Sequence, residues 1–155
     1  WLGEPNPAML DAVAHHAQGW NSVPVSVGEM ERRLGALRVA CVQAGRDYED
    51  IEKSIEMQIL VAPDLDGVRR KLRAMLALDP PTEEDLEMTT FLSGATDTPP
   101  EALTRMTLVG TPEQVSDQIK RYVDIGVTHF LWWFLDAPDE AGMRLFIDEV
   151  TPRWR

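Results

Sequence analysis

Apolar positions recur at helical spacing through the first part of the chain, then give way to strict alternation, and these changes of period mark the elements. Over residues 7–17, Met9, Leu10, Val13, Ala14 and Ala17 fall on one helical face, and Gly19 can end the helix. Trp20, Asn21, Ser22 and Val23 follow as a short extended piece. Ser26 stands three residues before Glu29, a capping-box spacing. Met30, Leu34, Leu37, Cys41 and Ala44 then run down one face of a helix until Gly45. Residues 54–61 alternate, with Ile55, Met57, Ile59 and Val61 on one side and Glu56, Gln58 and Leu60 on the other, which is the period of a strand.

Val68, Leu72, Met75 and Leu76 define the next helix, which ends before Asp79-Pro80-Pro81. Residues 79–107 read as a long connection rich in Pro, Thr and acidic residues, in which Leu86, Met88, Phe91 and Leu92 predict a short helix. An excursion of that length inside a compact domain is expected to be a lid or a subunit contact. Residues 112–125 form a helix with Thr111 as its cap, Pro112 at the first position and Gln114 three residues after the cap. Val115, Ile119, Tyr122 and Val123 are its buried stripe, and Gly126 closes it. Residues 127–135 hold Phe130, Trp132, Trp133 and Phe134 and are expected to be a buried strand; Trp132 and Trp133 point to opposite faces, so at least one packs under helices. A last helix carries Met143, Phe146, Ile147 and Val150 and is expected to end at Pro152. Strands alternating with helices predict an α/β fold with a parallel sheet and right-handed crossovers. Periodicity alone does not separate a small open sheet from part of a barrel.

The 155 residues, 44% hydrophobic, suit one domain spanning 1–155 with a substantial core. The chain opens on Trp1, and Trp1-Leu2-Gly3-Glu4 reads as the end of a strand, so upstream sequence is expected. Twenty-six acidic against fifteen basic residues give a net charge of -11. That charge repels nucleic-acid phosphates and anionic membranes, and neither is expected as a partner. Cys41 is the one cysteine, which leaves no disulfide framework and no cysteine metal cluster and fits a cytoplasmic protein. No apolar run approaches the ~20 residues needed to span a bilayer. The sequence carries no Ser-His-Asp set, no phosphate-binding Gly-Lys-Ser/Thr loop and no clustered Cys/His spacing, which removes hydrolase, NTPase and zinc readings. His15 and His16 are adjacent and diverge by roughly 100° on a helix, the wrong geometry for one metal, so no metal site is expected.

Three stretches carry a resemblance. They are Trp1-Leu2-Gly3-Glu4 with the helix ending Ala17-Gln18-Gly19-Trp20-Asn21; Leu37 to Arg46 with the strand after it; and Val109-Gly110-Thr111-Pro112-Glu113-Gln114-Val115 leading into Gly126-Val127-Thr128-His129-Phe130. In order and spacing they resemble the second half of the luciferase-like monooxygenase superfamily, which includes flavin-dependent monooxygenases and oxidoreductases using the deazaflavin coenzyme F420. Gln18 stands where that family usually has an acidic residue. The resemblance implies that these segments are strands five to eight, the C-terminal half, of a TIM-type (β/α)8 barrel.

In such a barrel ligands gather at the C-terminal ends of the strands. That places Gly3, Glu4 and Asn6 after the first strand, Trp20, Asn21 and Ser22 after the second, Ala62 and Pro63 after the third, and Asp136 after the last. The resemblance implies that the first two loops help hold a cofactor, FMN or F420, so Gly3, Glu4, Asn6, Trp20 and Asn21 are candidate cofactor residues. Thr111 joins them because the first turn after it offers backbone N–H groups and a positive dipole end. Pro5 and Pro7 lack N–H donors, so a phosphate finds fewer partners in the first loop. Glu56 and Gln58 would face the barrel lumen and line a substrate channel, or face water if half the barrel is missing. His129 can face the interior or be a hydrogen-bonded core histidine. No residue is assigned a catalytic role. The resulting expectation is an oxidoreductase that passes a hydride, or activates oxygen, toward a small organic substrate with reduced FMN or F420. The alternative is a catalytically silent half-barrel that self-associates through its strand edges. A homodimer is the expected assembly.

Overall fold

The computed structural model of the chain describes residues 1–3, 5–78 and 85–154. Helix α1 (Pro7–His16) starts where the Asn6 side chain accepts from the Met9 N–H at 2.9 Å, with Pro7 in the first turn where its missing N–H costs nothing. Strand β1 (Gly19–Ser22) leads to helix α2 (Val27–Ala44), capped by Ser26 and ended by Gly45, whose φ of 68° is the left-handed conformation a helix stop requires. Strand β2 (Glu52–Val61), helices α3 (Leu65–Leu78), α4 (Leu86–Ser93) and α5 (Glu101–Thr104), and strand β3 (Thr107–Gly110) follow. Helix α6 (Pro112–Asp124), strand β4 (His129–Phe134) and helix α7 (Ala141–Leu145) complete the order; α7 runs on as a wider turn, Phe146–Val150, and a tighter one, Thr151–Trp154.

The fold is α/β with a parallel sheet: β1 and β3 pair parallel with β2, β4 also pairs with β2, and the described strands do not close into a barrel. The chain divides into two units, Trp1–Met57 with Lys120–Trp133, and Gln58–Ile119 with Phe134–Arg155. In the first, β1 lies against the opening half of β2 in the register Gly19↔Glu52 to Ser22↔Ile55. On the other edge of β2 the Thr128 N–H donates to the Lys53 carbonyl at 2.8 Å. α1 packs on α2, burying Leu10, Val13 and Ala14 with Met30, Leu34, Leu37 and Cys41. In the second, β3 lies against the closing half of β2, and Leu60, Ala62, Val68, Leu72, Phe91 and Val109 form the core. Buried Arg69 donates to the carbonyls of Phe91 and Thr96 and to Asp66 and Asp97, which fastens the segment after α4 to α3.

Four features differ from the sequence expectation. The opening strand is a single bridge, Leu2 to Trp20, with the Leu2 N–H donating to Gly19 O and the Asn21 N–H to Leu2 O. A strand not expected from the sequence, β3, follows the expected connection, starting at its last residue, Thr107; at four residues it is too short to display a period. Pro152 does not stop the last helix but lies within the final tight turn. Most important, β4 is not buried: Leu131 is 43% and Trp133 64% exposed, and the alternate residues Phe130, Trp132 and Phe134 are half-buried. The side of the strand that carries His129, Leu131 and Trp133 is left uncovered among the described residues, whereas β3, which also has β2 as its single strand partner there, is buried throughout.

Candidate functional site

The first unit presents one sheet face with side chains fixed for chemistry. Register sets Asn21 opposite Ser54, so both project from the same side, and alternation adds Glu52 and Glu56. The Asn21 amide donates to Glu56 Oε1 at 2.9 Å, while Ser54 Oγ donates to Asn21 Oδ1 at 2.6 Å. Both ends of the amide are therefore held, and half-buried Glu56 keeps Oε2 without a partner among the described residues. His129 Nε2 lies 4.0 Å from Glu52 Oε1, which identifies the side of β4 that shares this face; alternation then adds Leu131 and Trp133. Trp1 meets His129 edge-on, with ring centroids 5.4 Å apart, and lies over Gly19, where a Cβ would come within 2.8 Å of the indole. A side chain at residue 19 would therefore have to displace the indole.

The other side of the same strands is core. Trp20, Ile55 and Met57 are fully buried. Lys53 is buried beside them, its Nζ donating to Glu49 at 3.1 Å and standing 4.4 Å from the centre of the Tyr48 ring. Of the candidate cofactor residues in this unit, Asn21 and Gly3 come together: a Cβ on Gly3 would sit 3.6 Å from Asn21 O. Asn6 uses its side chain to cap α1, and Trp20 faces the core. Glu4 lies outside the described residues.

Thr111 belongs to the second unit, where it starts α6 through a reciprocal cap. Its N–H donates to Gln114 Oε1 at 2.9 Å, and the Gln114 N–H donates to Thr111 Oγ1 at 3.4 Å. Gln114 folds back so closely that a Cβ at residue 110 would lie 2.5 Å from its Oε1, which, with a φ of 146°, explains Gly110. Gln58 accepts from Thr107 Oγ1 at 3.2 Å. The Asp136 side chain is 7% exposed and pairs through Oδ2 with Lys71 Nζ, which also donates to Val61 O; Asp136 Oδ1 is buried with no partner among the described residues. Sequence reasoning placed Asp136 after the last strand but gave no sign of Lys71, 65 positions away. A cleft of about 700 Å3 lies along α4 and α5, walled by Leu86, Pro99 and Pro100; the Thr90 and Thr104 hydroxyls at its margin donate to backbone carbonyls. Among the described residues no group of three or more His, Cys, Asp or Glu is placed to hold a metal, and no helix is long and apolar enough to cross a membrane.

A family model described as luciferase-like monooxygenase matches residues 1–129. An F420-dependent glucose-6-phosphate dehydrogenase of Microbacterium testaceum is 26% identical over 161 residues, covering 100% of this chain and 48% of the relative. Among solved structures, the coenzyme F420 dependent tetrahydromethanopterin reductase from Methanopyrus kandleri superposes with a TM-score of 0.70 at 19% identity, over 99% of this chain and 50% of that one. A riboflavin lyase solved with modified FMN and riboflavin superposes at 0.73 with 17% identity, over 99% and 42%. The chain spans about half the length, or less, of the proteins it matches. At these identities the superpositions speak for the fold, the parallel β/α units of TIM-type barrel enzymes.

Proposed function

The chain belongs to the luciferase-like monooxygenase family, and on that premise we propose that the open face of its first unit is one wall of a redox site in an oxidoreductase acting on a small organic substrate, by hydride transfer or monooxygenation. The observation that carries this is the Asn21, Ser54 and Glu56 network standing on a solvent-facing sheet beside exposed Leu131 and Trp133. Flat apolar surface with a few fixed polar groups is what an aromatic ring with polar edges requires. F420 is the cofactor we favour, because the curated relative named above is F420-dependent; reduced FMN is the second choice. When bound, the cofactor supplies the hydride or the oxygen-activating reduced ring. Trp133 and Leu131 exclude water and offer stacking surface, Asn21 holds Glu56 in one orientation, and Glu56 Oε2 accepts a hydrogen bond from a ligand N–H or O–H. The test is titration with F420 and with reduced FMN, followed by tryptophan fluorescence, since Trp1 and Trp133 both border the face. Saturable quenching near micromolar concentration supports the reading; absence of quenching by either cofactor at millimolar concentration rejects it.

A second reading is favoured by β4 itself, an apolar strand left exposed with one partner. Under it the chain is catalytically silent and pairs with a second copy through strand edges, as a cytoplasmic homodimer. Arg69 holds residues 91–97 against α3, which favours a fixed subunit contact over a lid for residues 85–107 of the expected 79–107 excursion; residues 79–84 lie outside the described residues. With -11 charges on each copy, association strengthens as salt is added. Sedimentation across a concentration series at two salt levels checks this, and a monomer throughout rejects it.

A further inference from the structure

We infer that this chain grips its cofactor by the ring and leaves the phosphate unanchored; the inference rests on the open-face reading above. A phosphate is normally held by several free N–H groups at a helix start, with a cation nearby. Few donors remain at the helix starts marked by the candidate residues. At α1, Pro7 has no N–H, the Met9 N–H is taken by Asn6 Oδ1 and the Leu10 N–H by Asn6 O, which leaves the N–H groups of Asn6 and Ala8. At α6, Pro112 has no N–H, and the N–H groups of Thr111, Gln114 and Val115 are all engaged within the turn. The remaining donor there belongs to Glu113, whose own carboxylate repels an anion.

The buried and half-buried cations of the described residues are already committed. In the first unit Arg33 is committed to Glu29 and Ser22, and Lys53 is buried against Glu49 on the far side of the sheet. In the second, Lys71 is committed to Asp136 and Val61 O, and Arg69 to Asp66, Asp97 and two carbonyls. The charged side chains fixed on the open face itself are carboxylates, Glu52 and Glu56. A phosphate brought there meets like charge, whereas a neutral ring meets Trp133, Leu131, the Asn21 amide and one acceptor oxygen.

The experiment compares two pairs of ligands on the intact chain by equilibrium dialysis: FMN against riboflavin, and F420 against its phosphate-free riboside. Each charge-assisted hydrogen bond to a phosphate is worth about tenfold or more in affinity, so its absence predicts that the members of each pair differ by less than about tenfold. Millimolar inorganic phosphate is expected not to displace riboflavin or FMN. A preference of about tenfold or more for the phosphorylated member, or displacement of FMN by phosphate, overturns the inference while the open-face reading stands. Binding of no member of either pair overturns both.

Discussion

Strand β4 is the more apolar of two paired strands, with five apolar residues of six against five of ten in β2, yet it is β2 that is buried. In β2, Lys53, Ser54, Ile55, Met57, Ile59, Leu60 and Val61 are all buried, whereas no residue of β4 is. The cause is cover rather than the number of strand partners: β3 likewise has β2 as its single strand partner among the described residues and is buried throughout, whereas the side of β4 that carries His129, Leu131 and Trp133 is exposed. Burial is therefore set by neighbours rather than by strand composition, and the large apolar patch left on β4 asks for a ligand or a partner.

The sharpest way to break this comparison is to truncate one residue on each strand. Ile55→Ala is expected to cost about 2–5 kcal/mol, because a cavity opens in packed surroundings, and Leu131→Ala no more than about 0.5 kcal/mol. Urea unfolding measures both, and equal losses would show that β4 is as buried as its partner. Next in size is the pair that ties the ends of the two strands: Lys71→Met leaves the Asp136 carboxylate buried without its cation and is expected to destabilise by about 3 kcal/mol. Replacing Asp136 by Asn as well should recover part of that loss in the same assay. Thr111→Ala removes one arm of the reciprocal cap after β3, at about 1 kcal/mol.

The smallest effect lies under β4, where Tyr122 meets Phe130 edge-on and donates to Val25 O at 2.8 Å. Burial pushes its hydroxyl up to about 12 from the usual 10. A folded value above the unfolded one means that the contribution is complete below pH 10 and fades as pH rises toward 12. Stability of the native chain should therefore fall across that window more steeply than that of Tyr122→Phe, as read from thermal unfolding at stepped pH.

The features legible in the sequence were local ones. Ser26 with Glu29, and Thr111 with Pro112 and Gln114, announced helix starts because the cap, its acceptor and its donors lie within one turn. The alternation over residues 54–61 announced β2 and its polar row, Glu56 included. What stayed hidden depends on neighbours distant in sequence. The exposure of β4 follows from what packs over each of its sides, and the link from Asn21 to Glu56 follows from a register joining residues 35 positions apart. The pattern of polar residues does not encode either. Asn6 and Thr111 illustrate a related ambiguity: the residue types that suit a helix cap are those that suit a ligand, and both side chains cap here.

The most direct test of the open-face site is a side-by-side F420 titration of the native chain and Trp133→Ala, with unfolding curves to confirm that both are folded. The native chain is expected to saturate, and the variant to bind about tenfold more weakly for loss of its stacking surface. Equal affinities would contradict the account, because the ring would then lie somewhere other than the face that β4 leaves open.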